Sequence, residues 1–121
     1  MRPSREPERK GVYHLVEITY SRKRHRLTAT GHAGSGQPGK DLVCAAVSAL
    51  VLTLSANVAE LAIDGKLRRH ILRLQEGDAW IGCISEPKLE PVVTMIFDAV
   101  CSGFELLQTL YPEHIRYRVL P

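Results

Sequence analysis

Two periodicities divide the chain. Val12, Val16, Ile18 and Tyr20 fall on one parity, so Tyr13 to Ser21 reads as a half-buried strand. The polar run Arg22-Lys23-Arg24-His25 makes a turn, and Arg26 to Gly31 returns as the second arm of a hairpin. The period then changes. Leu42 to Ala62 is apolar almost all round, which predicts a long helix with both sides covered: a sheet on one, a second helix or a partner subunit on the other. Asp64-Gly65 ends it. Leu67 to Gln75 and Ala79 to Ser85 predict a second hairpin around Glu76-Gly77-Asp78. Pro87 to Pro91 is a linker, with Pro91 suited to a first helical position. Val92, Met95, Ile96, Ala99, Val100, Phe104, Leu107 and Leu110 then recur at helical spacing, up to a stop at Tyr111-Pro112. Ile115, Tyr117 and Val119, alternating with Arg116 and Arg118, close the chain as a strand. The order β-β-α-β-β-α-β predicts an α+β fold, a mainly antiparallel five-stranded sheet packed with two helices.

Length and composition narrow the classes. A chain of 121 residues carries one domain, here 11–121, preceded by a charged segment with two prolines, 1–10, expected to be a flexible basic tail. The apolar content of 45% and charged content of 24% fit a soluble globular protein. No apolar h-region is present near Met1, so no secretory leader is expected. Leu42 to Ile63 is interrupted by Ser48, Thr53, Ser55, Asn57 and Glu60, and reads as a buried helix rather than a membrane span. Three cysteines, none in a C-x-x-C pair, argue against a disulfide framework or structural zinc and for a cytoplasmic location. No His-x-x-x-His or comparable ligand spacing appears, so no metal is expected. The formal charge of +3 permits contact with RNA or ribosomes without demanding it.

Chemistry concentrates between the first hairpin and the first helix, in Gly31-His32-Ala33-Gly34-Ser35-Gly36-Gln37-Pro38-Gly39-Lys40-Asp41-Leu42-Val43-Cys44. A strand end delivers His32; a loop with Gly34, Gly36 and Gly39 follows, able to open for a peptide and close over it. With Asp41 as N-cap, Cys44 stands at the third helical position, where unpaired N–H groups and the helix dipole favour a thiolate. His32 is within reach if the loop doubles back. This is the disposition of a cysteine nucleophile with a histidine acid/base, with first-turn N–H groups as an oxyanion site. Ser48, one turn after Cys44, is placed to support the thiol or the substrate. The same loop also fits G-x-G-x-x-G and G-x-x-x-x-G-K, but Asp41 replaces the Ser/Thr that meets magnesium, and the preceding strand belongs to an antiparallel hairpin, so nucleotide binding is disfavoured. A lone cysteine on an apolar helix is most often core, and Cys83 and Cys101 are assigned no chemistry.

Gly31-His32-Ala33, followed by Gly39-Lys40-Asp41-Leu42-Val43-Cys44-Ala45-Ala46-Val47-Ser48, closely resembles the signature of the ribosomal-processing cysteine protease family (Prp, or YsxB-like). The resemblance extends over about residues 12–120. It implies His32 as catalytic histidine and Cys44 as nucleophile, with Asp41 and Ser48 in supporting positions. It further implies a bacterial cytoplasmic homodimer without cofactor, which removes an N-terminal extension from large-subunit ribosomal protein twenty-seven. Two other functions compete. Arg22, Lys23, Arg24 and Arg26, with Arg68, Arg69, Arg73, Arg116 and Arg118, would suit a non-catalytic ribosome-associated RNA-binding or assembly protein. A thiol redox sensor would need Cys83 or Cys101 as resolving partner of Cys44.

Overall fold

The computed structural model describes residues 15–31 and 38–121, with side chains from Leu42 onward in the second stretch. Two hairpins and two helices follow the expected order: β1 (Val16–Ser21), β2 (Arg26–Thr30), α1 (Pro38–Ile63), β3 (Leu67–Gln75), β4 (Asp78–Ser85), a 3-10 turn (Pro87–Leu89), α2 (Glu90–Leu110) and β5 (Ile115–Leu120). The sheet order is β3-β4-β2-β1-β5. Three pairings are antiparallel; β5 lies parallel to β1, with Val16 opposite Ile115. The expected tail, 1–10, and the start of the first expected strand lie outside the described residues.

Alternation decides which side of the sheet is covered. Val16, Ile18 and Tyr20 of β1, Leu27 and Ala29 of β2, Ala79, Ile81 and Cys83 of β4, and Ile115 of β5 are buried in one core with both helices. α1 lies over β3 and β4, and α2 over β5. α1 buries Val43, Val47, Val51, Leu54 and Val58, a single stripe at spacings of three and four. The helices meet where Gly103 of α2 faces Leu50 of α1. The expectation that α1 would be covered on both sides is met only on these flanks: Leu42 and Leu52 are each 57% exposed. Both helices are long and apolar enough to cross a bilayer by length and composition, yet each closes the core over the sheet. Lifting either into lipid would uncover the strands beneath it.

The β1–β2 corner is pinned to α2 by aromatic packing and hydrogen bonds. His25 takes a left-handed φ of 52°, its Nε2 lies 2.6 Å from Thr94 Oγ1, and its ring packs against Phe97. The Tyr20 hydroxyl donates to Asp98 at 2.8 Å, and Arg22 donates to both oxygens of the same carboxylate. Burial, and then the carboxylate of Asp98, push the Tyr20 phenol well above its ordinary value. The Arg22 guanidinium holds the Asp98 carboxyl below the usual range.

Candidate active site

Two matched alanines make room for a cleft. Ala29 of β2 and Ala79 of β4 stand directly opposite each other in the ladder, and with Val16 they form the floor. Larger residues at this pair would fill the space between sheet and helix. Cys44, Ser48 and Leu52, each one turn apart on α1, form one wall. The tip of the β3–β4 hairpin, Leu74 to Asp78, forms the other. The cleft is open to solvent and has a volume of about 320 Å³. The Cys44 side chain is half-buried and Ser48 is exposed, so the thiol sits at the cleft wall rather than in the core.

Gly31 stands at the rim. Its φ is +97°, and a Cβ there would lie 2.4 Å from the Leu15 carbonyl oxygen, so only glycine fits. Its N–H donates to the Gly77 carbonyl at 3.1 Å. Gly77, at φ 74°, completes the two-residue turn between Gln75 and Asp78. Thus the end of β2 is clamped at the rim of the cleft, between the start of β1 and the hairpin tip.

The position of the helix start corrects one expectation. α1 begins at Pro38, not after Asp41. Pro38 has the φ that a first helical residue needs and lacks the N–H that would go unsatisfied there, so Gly39, Lys40 and Asp41 continue the first turn. Asp41 is therefore no N-cap, Gly39 is helical rather than part of the loop, and Cys44 lies in the second turn. Its N–H is within the intrahelical ladder, and the dipole acts mainly in the first turn. Activation of the thiol and the oxyanion site cannot rest on the helix start as the sequence implied. His32, Gly34 and Gly36 lie outside the described residues, as does the Asp41 side chain.

Among the described residues, no group of three His, Cys, Asp or Glu side chains is placed to hold a metal ion. Burial pushes the Cys83 thiol up to about 11 and that of Cys101 up to about 12, so both are held protonated and packed as core. That is the wrong direction for a resolving thiol, and it removes the support for a redox sensor. His25 is likewise a neutral structural residue: burial lowers its pKa from 6.5. Sequence reasoning missed the contribution of Gln75, Glu76 and Asp78 to the cleft. They read only as a turn, and nothing local announces that β4 pairs with β2 and brings that turn to Gly31.

The described cleft sets a thiol one turn from a hydroxyl, between a core helix and a hairpin tip on an α+β sheet, and the class of the protein is that of the cysteine proteases. The chain belongs to the cysteine protease Prp family, whose model matches residues 15–116. It is 29% identical over 108 residues to the ribosomal processing cysteine protease Prp of Mycoplasma pneumoniae, covering 85% of this chain and 93% of that protein. Among solved structures it is similar in fold to SMU.848 from Streptococcus mutans, with a TM-score of 0.65, 24% identity and coverage of 91% and 97% of the two chains. It is similarly related to the essential ribosomal processing protease Prp from S. aureus in complex with a substrate peptide, with a TM-score of 0.62, 21% identity and coverage of 87% and 97%. The S. aureus protein is also known with a covalently linked product peptide, at a TM-score of 0.61 and 22% identity.

Proposed function

We propose that this protein is a cytoplasmic endopeptidase that removes the N-terminal extension of large-subunit ribosomal protein twenty-seven. The observation that carries the reading is the placement of the Cys44 side chain in the cleft whose rim is Gly31, the residue from which His32 follows. In this reading Cys44 gives its thiol proton to His32, the sulfur attacks the scissile carbonyl carbon, and His32 passes that proton to the departing amine as the C–N bond breaks. Water, deprotonated by His32, then attacks the thioester; the acid product leaves and the thiol is restored. Ser48 orients the thiol or the bound chain, Asp41 supports His32, and the segment with Gly34 and Gly36 closes over the substrate. The product peptide covalently linked to the S. aureus relative supports a covalent route. The test is mass spectrometry of the extended ribosomal protein incubated with wild type and with Cys44→Ala. One truncation seen with wild type alone is expected. The same truncation with Cys44→Ala would remove Cys44 as the nucleophile.

The reading includes a homodimer. Met95 (67% exposed), Leu106 and Leu110 on α2 and Leu42 and Leu52 on α1 are exposed apolar side chains. Covering them with a second copy of the chain would remove them from water. Sedimentation equilibrium should give twice the chain mass for wild type and a monomer for Met95→Glu/Leu106→Glu; a wild-type monomer would oppose it.

A further inference from the structure

The helices cover one face of the sheet and leave the other open. That open face carries Arg26, Arg69, Arg73, Arg116 and Arg118 on alternate positions of three strands, with Arg24 at the β1–β2 turn. Among the described residues of the strands, two side-chain carboxylates share it, Glu17 and Asp78, both in the row that ends at Arg116. Six arginines less two carboxylates leave +4 on one face of a chain whose formal total is +3. Asp78 pairs with Arg73 at 3.5 Å. Arg22 and Arg68, by contrast, are engaged elsewhere, with Asp98 and Glu86. Among the described residues the other five arginines of the face make no ion pair.

The arrangement has a centre. One cross-strand row runs Arg73–Trp80–Thr28–Thr19–Arg118, through all five strands. The Arg26 guanidinium lies 5.1 Å from the Trp80 ring centre and that of Arg73 5.8 Å from it. β2 and β3 flank β4, so the two cations reach the indole from opposite flanks. Trp80 thus holds two like charges apart and ordered, which reduces what is lost when they are fixed against an anion. Two shallow grooves, of about 440 and 590 Å³, share Arg24, Arg26 and Trp80 and reach Leu120 on one side and Arg69 on the other. Between the arginines the row presents threonine hydroxyls, not deep apolar pockets. Guanidinium and hydroxyl groups along a shallow track are the partners of phosphodiester oxygens.

We propose that the open face is an RNA-binding surface that tracks the sugar-phosphate backbone across the sheet. The choice of RNA among polyanions rests on the ribosomal reading above; the binding chemistry does not. Because the arginines occupy the flanks of the indole, base stacking on Trp80 is secondary and recognition is tolerant of sequence.

Trp80 is the chain's single tryptophan, so its emission reports on this face alone. The experiment titrates full-length protein with a mixed-sequence RNA of about 20 nucleotides, following Trp80 fluorescence and the anisotropy of the labelled RNA over about 50 to 200 mM salt. Contact with four phosphates on a single strand gives a log–log salt slope of about −2.8, a weakening of about 50-fold across that range. In Arg69→Ala/Arg118→Ala the slope is expected to fall to about −1.4, or about sevenfold. Cys44→Ala should bind as wild type does. The proposal is overturned if Trp80 emission does not respond, if the double variant keeps the wild-type slope, or if poly-glutamate of equal charge binds as tightly as RNA. Cleavage without RNA binding would sink this inference and leave the peptidase standing; RNA binding without cleavage would do the reverse.

Discussion

Replacing Gly31 by alanine should damage both the fold and the site, by an amount that separates two causes. A left-handed φ costs an alanine about 1–2 kcal/mol. The added Cβ would also meet the Leu15 carbonyl oxygen at 2.4 Å, and the contact must lengthen by roughly 0.6 Å merely to reach 3.0 Å, against backbone rather than a yielding side chain. The movement that relieves it pulls the Gly31 N–H off Gly77, a hydrogen bond worth about 1 kcal/mol. The sum is about 2–4 kcal/mol. At roughly 3–6 °C per kcal/mol for a domain of this size, Tm falls by about 6–24 °C. The control is Gly65→Ala. Gly65 has φ +72°, but no atom lies within 4 Å of its Cβ position, so it carries the backbone penalty alone, about 1–2 kcal/mol. Calorimetry should therefore show Gly31→Ala falling further than Gly65→Ala. Precursor cleavage, measured well below either Tm, should be lost about 100-fold in the first variant, since a displacement near 1 Å at a reacting group has that effect. Gly65→Ala should cleave as wild type does. Equal Tm losses, with cleavage intact in both, would refute the claim that the end of β2 is held by close backbone contact and that cleavage depends on that rim of the cleft.

Two further outcomes follow from the same geometry. His25 is kept neutral chiefly by burial, with Arg22 lowering its pKa further and Glu90 and Asp98 opposing in part. The folded protein therefore resists a proton that the unfolded chain accepts: the stability His25 contributes is complete above 6.5, declines as pH falls below it and is lost once pH passes the lowered folded value. Denaturant melts should show that decline in wild type and a flatter profile in His25→Asn, which tolerates the left-handed φ; parallel profiles would count against it. Ala29→Leu overpacks a buried position that also floors the cleft, so it should cost about 1–3 kcal/mol, lower Tm by about 3–18 °C, and raise KM or abolish cleavage measured well below Tm; unchanged kinetics would show that substrate does not use this floor.

Elements whose evidence is local were legible in the sequence. The parity of Val16, Ile18 and Tyr20 is that of the buried face of β1, and both hairpins fall where polar turns separate alternating runs. The start of α1 was misplaced because Asp41 satisfies two rules at once: a carboxylate favours the N-cap, but it is also favoured anywhere in the first turn. Pro38, which fits a first helical position, was the decisive signal and was read as part of the loop. Strand order was beyond local reading. β5 pairs parallel to β1 through contacts some 99 residues apart, as Val16 with Ile115, and an alternating edge strand satisfies its own pattern equally well on either side of a sheet.

The same limit explains what was found and what was missed at the site. Cys44 stands out because it sits in a run of sequence whose chemistry is contiguous, and the structure places it in the cleft wall. The opposite wall, Gln75 to Asp78, enters the cleft only because β4 is inserted between β3 and β2, and the antiparallel β2–β4 ladder sets Ala29 against Ala79 and brings the Gly77 carbonyl to Gly31. One ladder thus sets the depth of the cleft, the position of its outer wall and the clamp on its rim. It also sets Trp80 opposite Thr28 on the reverse face, one residue along from the Ala29–Ala79 pair. Successive residues of a strand point to opposite faces, so the thiol cleft and the arginine face are built on neighbouring rungs, and slipping that register by one residue would destroy both together.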